Sequence, residues 1–139
     1  RWLLRRVVEF GHEHAVQLVA REVPAGSQSY RAAVAMTYSA ACCIAASESL
    51  AAPLVSLTAD AIRKELIDRA QLRGATTAVA KKLALRGAVE QRLGESFRPE
   101  SEVSTAARDR NLNLSDRAGV ALAATYSRTF QAVRQQATG

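Results

Sequence analysis

From Ala32 to Leu57 the chain carries a single formal charge, Glu48. A run that long and that uncharged must either be covered by protein or lie in a bilayer. Its residues are mostly Ala, Ser, Thr and Cys rather than Leu, Ile or Phe, and Pro53 interrupts it. Small and hydroxylated side chains make insertion marginal, and proline cannot sit in a helix interior without breaking it. The run therefore reads as a central, Ala-rich, buried helix ending before Pro53, with no convincing transmembrane span.

A core built around such a helix needs close-packed neighbours of the same kind. Apolar residues make up 48% of the 139 positions, but aromatics only 5%. Few Val/Ile/Thr-rich alternating runs exist, so a sheet has little to build from. The expected fold is all-α: a single-domain compact helical bundle of about five helices over residues 1–139.

Periodicity and punctuation place the elements. Leu3, Leu4, Val7, Val8, Gly11, Ala15, Leu18 and Val19 predict a first helix from Trp2 to Glu22, stopped by Pro24 and Gly26. Ser27 or Ser29 can cap the central helix. Thr58, with Asp60 in the first turn, opens a third helix that Gly74 closes. A fourth runs from Thr76 or Thr77 to Leu93 and Gly94. Residues from about 95 to 114 read as a loop, with a short helix near Ser104–Arg110. Ser115 caps a last helix striped by Gly119, Leu122, Ala123, Tyr126, Phe130 and Val133, with Arg117, Arg128 and Gln135 facing away.

The stretch EFGHEH, Glu9 to His14, holds both histidines of the chain. On a continuous helix, at about 100° per residue, His12 and His14 point about 200° apart. Two ligands on one helix share a metal at i,i+3 or i,i+4, so this spacing builds no metal site, and no cofactor is expected. The H-E-x-x-H protease pattern is also absent. His14 falls within the apolar stripe as a core or interface residue, and His12 at its half-exposed edge. If Gly11 instead broke the helix, His12, Glu13 and His14 could serve as a general acid/base set, as in small basic nuclease or toxin-type domains.

The formal charge is +6, which favours anionic partners. It is concentrated between Thr58 and Arg98, where Arg63, Lys64, Arg69, Arg73, Lys81, Lys82, Arg86, Arg92 and Arg98 lie. Of these, Arg63, Lys64, Arg73, Lys81, Lys82 and Arg86 are the candidates for a nucleic-acid or anion contact along the third and fourth helices. The plainer reading is a solvated face of mixed charge. No aromatic platform interleaves with these residues, so stacking on single strands is not expected. GATTAVAKK, Gly74 to Lys82, lacks the second glycine and the Lys-Ser/Thr pair of a phosphate loop.

Cys42 and Cys43 are adjacent, a spacing at which a disulfide is rarely feasible. They read as reduced, buried small residues, which favours a reducing compartment such as cytoplasm or an organelle matrix. No secretory leader is expected.

AREVPAGSQSYRAAV, Ala20 to Val34, resembles the run that leads into the long central helix of core histones. SLTADAIRKEL, Ser56 to Leu66, resembles the link and short third helix that follow there. The resemblance covers at most half of the chain. It implies a short-long-short helical fold, dimerisation through the long helix and contact with the DNA backbone. Pro53, the long C-terminal region and the lack of a basic tail depart from that pattern.

Together these features favour a non-catalytic helical subunit that packs against other protein subunits, as a homo- or hetero-oligomer. A basic nucleic-acid-binding module comes second, and a small nuclease using His12 or His14 third.

Overall fold

The computed structural model describes residues 1–23, 29–97 and 105–139, without the side chains of 105–108, 128 and 129. The expected turn at Pro24 and Gly26, the alternative cap Ser27, and Arg98, Ser104 and the side chain of Arg128 lie outside the described residues.

The protein is mostly helical, with seven helices among the described residues: α1 (Trp2–Glu13), α2 (Tyr30–Leu50), α3 (Ala59–Leu66), α4 (Arg69–Gly74), α5 (Ala78–Leu93), α6 (Thr105–Thr125) and α7 (Arg128–Thr138). It is not all-α. Two short strands, β1 (Val19–Val23) and β2 (Leu54–Thr58), pair in parallel, with Val19 opposite Leu54 and Val23 opposite Thr58. The chain gathers into two compact units, residues Arg1–Ala59 with Ala124–Gly139, and residues Asp60–Ala123.

In the first unit, α1 ends well before the expected Glu22. The N–H of Ala15 donates to the carbonyl of His12 at 3.3 Å, and that of Val16 to the carbonyl of Gly11 at 2.9 Å. Ala15 sits at φ 49°. This is a Schellman stop, normally marked by glycine at the left-handed position. With alanine there, no sequence punctuation announces it. The chain leaves α1 extended and becomes β1.

The same stop closes α2. Ala51 adopts φ 49° and ψ 35°, its N–H reaching Glu48 O at 3.2 Å while the N–H of Ala52 reaches Ser47 O at 3.1 Å. The N–H of Val19 then donates to the Pro53 carbonyl at 3.0 Å, and β2 runs beside β1. Parallel neighbours require a crossover, and α2 supplies it. Arg21 donates from Nε to Oγ of its register partner Ser56 at 2.9 Å.

α2 lies against α1 and both strands. It is not the buried centre of a bundle, since Ala46 is its one buried residue. By length and composition alone it is the one described helix that could cross a membrane. Its exposed positions include Arg31, Thr37, Ser39, Glu48 and Ser49 beside Tyr30, Tyr38 and Ile44, and α1 and the sheet pack against it, so it is not a convincing span. The strand-helix-strand arrangement also differs from the histone-like expectation. Ala20–Val23 and Leu54–Thr58 are strand, where a short-long-short helical fold would have links between helices.

In the second unit the expected third helix is split. Asp68 interrupts it after Ile67, its Oδ1 accepting the N–H of Ala70 at 3.1 Å, so α4 begins anew. α5 is bounded as its punctuation requires: Thr77 Oγ1 accepts from Ala80 N at 3.1 Å, and Gly94 stops it at φ 67°. α6 begins at Thr105, within the stretch expected to be loop. Ser115 does not cap it but lies inside it, buried, with its hydroxyl donating to the Leu112 carbonyl at 2.9 Å. The core of this unit is Ile62, Leu66, Ile67, Leu85, Val89, Leu112 and Val120. A Cβ on Gly119 would stand 3.4 Å from both Leu85 Cδ1 and Val89 Cγ2, which shows how closely α6 approaches α5 there.

Candidate functional site

Both histidines sit at the C-terminal end of α1, where the N–H of His14 still donates to the Phe10 carbonyl at 3.0 Å. His12 lies in the last turn of α1, while His14 is its C-cap at φ −101° and ψ 10°. Both are exposed, so His14 is not in the core. Its ring rests on Phe10, centroid to centroid 4.2 Å. Among the described residues no group of three His, Cys, Asp or Glu side chains is placed to hold a metal ion. Glu13 closes α1 between the two imidazoles.

The candidate cations of the second unit separate into two kinds. Arg63 pairs with Asp60 at 3.5 Å, and Lys82 on α5 pairs with Asp116 on α6 at 3.5 Å. Arg86 is 3% exposed and lies 3.8 Å from Glu90. A guanidinium so enclosed cannot reach a phosphate backbone, so Arg86 leaves the binding set; its role is in the core of α5. Arginine rarely enters a core unpaired, and Glu90, one turn on in α5, is the partner that lets Arg86 do so.

Lys64, Arg69 and Arg73 are of the other kind. Together with Ile67 and Leu72 they line, among the described residues, one concavity of about 520 Å3. Arg69 and Arg73 share a face of α4 at i,i+4, and Lys64 of α3 joins them at the concavity. Among the described residues no acidic side chain lines the concavity. Lys81 stands apart, partly buried on the first turn of α5.

α1 carries the most distinctive surface. Gly11 is buried against Leu50 of α2, and Leu4 and Val8 share its face, half-buried. A second apolar line runs beside that face and points outward. Leu3 is 56% exposed, Val7 36% and Phe10 58%, and His14 continues the line. The steps of four, three and four residues are those of a helix-pairing seam. Along the far flank run Trp2, Arg6, Glu9 and Glu13; Trp2 is 69% exposed, and Arg6 Nη1 donates to Glu9 Oε2 at 3.3 Å. The helix is thus apolar on two adjoining faces, of which the chain itself covers one. Periodicity alone merged them into one broad stripe, because they differ only in which has a neighbour.

Comparison of the chain with known protein families, with curated proteins and with solved structures finds no match.

Proposed function

We propose that this protein is a non-catalytic interaction subunit that packs against another protein through the outward seam of α1. The observation that supports this reading is the exposure of Leu3, Val7 and Phe10 in register on one helix. Single exposed apolar residues are ordinary, but an aligned set flanked by charge is the composition of an interface. Phe10 at the middle, with Trp2 at the rim, supplies the aromatic anchors on which binding energy concentrates. Purified from its native source, the chain is expected to elute within a larger particle, and a Val7→Glu/Phe10→Glu variant to elute alone. A chain that elutes alone from its native source, or a Val7→Glu/Phe10→Glu variant that elutes with the same particle as wild type, overturns the reading.

A second reading, contact with a phosphate backbone, is supported by the concavity walled by Lys64, Arg69 and Arg73. Each phosphate neutralised in such a site releases counterions, so binding weakens with salt by a slope of about 0.9 per contact. The test is retention on duplex DNA or RNA across a salt series, with Lys64→Gln/Arg73→Gln as the comparison. Salt-independent retention, or none, removes this reading.

A further inference from the structure

We propose that the partner of the α1 seam is a second copy of this chain, with the two α1 helices paired antiparallel about a two-fold axis. This rests on the interaction reading above and adds the identity of the occupant.

The argument is one of charge order. In the heptad set by Leu3, Val7, Phe10 and His14, the positions that border the seam on its open flank are Arg6 and Glu13. They are one heptad apart and opposite in sign. The positions bordering the other side are Leu4 and Gly11, which face α2. An antiparallel pairing brings like flanks together. It sets Val7 against the partner's Phe10, and Leu3 against the partner's His14. In the same register Arg6 meets the partner's Glu13, and Glu13 meets the partner's Arg6. A two-fold axis makes every contact occur twice, as an isologous interface requires. A parallel pairing would set Arg6 and Glu13 against the partner's Leu4 and Gly11, which carry no charge and are already covered. Antiparallel order is therefore the one that satisfies both the apolar line and the charges.

Arg6 already touches Glu9 within α1 at 3.3 Å, whereas Glu13 makes no ion pair among the described residues. The second copy supplies the missing cation. An exposed pair within a helix contributes little, so sharing Arg6 between Glu9 and the partner's Glu13 is not opposed by it.

The test uses the full chain in sedimentation velocity over about a hundredfold range of concentration, where mass action moves a dimer equilibrium. Wild type is expected to pass from monomer to dimer. Arg6→Glu and Glu13→Arg are each expected to remain monomeric, since each sets like charges face to face. Mixed in equal amounts, the two variants are expected to form a heterodimer, because every facing pair is then opposite in sign again. Circular dichroism of each variant checks that α1 has formed; where Arg6→Glu loses helix against Glu9, Arg6→Gln mixed with wild type replaces it, with weaker association expected. A dimer indifferent to both reversals, or a mixture that stays monomeric, overturns the pairing. If wild type is monomeric by sedimentation while the Val7→Glu/Phe10→Glu variant loses a different protein from the native particle, the second-copy inference falls and the interaction reading stands.

Discussion

Gly11 of α1 lies directly under the side chain of Leu50, so closely that a Cβ at position 11 would overlap both of its δ-methyl groups and come within 3.1 Å of Cγ. This contact fixes which face of α1 is inward, and so which face is left to a partner. Gly11→Ala gains about 1 kcal/mol of helix propensity but forces Leu50 aside, and overpacking costs about 1–3 kcal/mol. The expected net effect is a loss of about 1 kcal/mol in urea unfolding. In a Gly11→Ala/Leu50→Ala double variant part of that loss should return, because the methyl groups in the way are gone. Equal and additive effects would show that the two side chains do not meet.

Ala15 and Ala51 close α1 and α2 in a left-handed conformation that L-residues other than glycine and asparagine seldom adopt. Replacing either by glycine removes a steric cost of about 1–2 kcal/mol and adds back unfolded-state entropy of about half that. Ala15→Gly and Ala51→Gly are each expected to raise stability by about 0.5–1 kcal/mol. A thermal unfolding series detects this, and Ala41→Gly on the exposed face of α2 is the control that should move the other way. No gain at position 51 would argue that α2 continues past Leu50.

These two stops also explain what the sequence could and could not tell. Helices with side-chain punctuation were legible: Thr77 and Gly94 bound α5, Ser29 caps α2, and Pro53 stands just beyond its end. Where the backbone alone made the stop, as at Ala15, nothing in the composition marked it. The strands were hidden for the same reason. Val19–Val23 follows an alanine-marked stop, and Leu54–Thr58 sits beside a proline that suggested only a link. Pairing thirty-odd residues apart is not a local property. At the candidate site, spacing put Leu3 and Val7 on the apolar stripe of the first helix but could not say whether they face the core or a partner, since that depends on whether α2 covers them.

Arg86 and Lys64 separate folding from binding among the cations. Arg86 is enclosed beside Glu90, whose Oε1 also accepts the N–H of Phe97 at 3.3 Å. Removing one partner of a buried pair costs about 3–5 kcal/mol, and Glu90 is partly open to water, so Glu90→Gln is expected to cost about 2 kcal/mol. Polyanion retention of that variant should match wild type once it is folded. Lys64→Gln/Arg73→Gln should do the reverse, leaving the unfolding midpoint in place while shortening retention. A variant pair that moved both readouts together would mean that the concavity walls also carry the fold.

The thiol of Cys43 is pushed above its ordinary range, first by burial and then by its neighbour Cys42, with Arg21 acting in the opposite direction. Its proton is therefore held more tightly in the folded chain than in the unfolded one. The sign follows from linkage. Below the unfolded thiol pKa of about 8.5 both states are protonated and stability is at its full value. As pH rises through the alkaline thiol range the unfolded chain sheds the proton first, so stability falls, and the fall ends only above the folded value. A urea series between neutral and alkaline pH should show this decline, and Cys43→Ala should flatten it. At neutral pH the same proton retention keeps the nucleophilic thiolate scarce, so carboxymethylation of Cys43 by iodoacetate should lag behind that of the unfolded chain by more than its partial exposure accounts for. Equal alkylation rates in the folded and unfolded chain would place the sulfur in open water instead, and with it the inner face of α2.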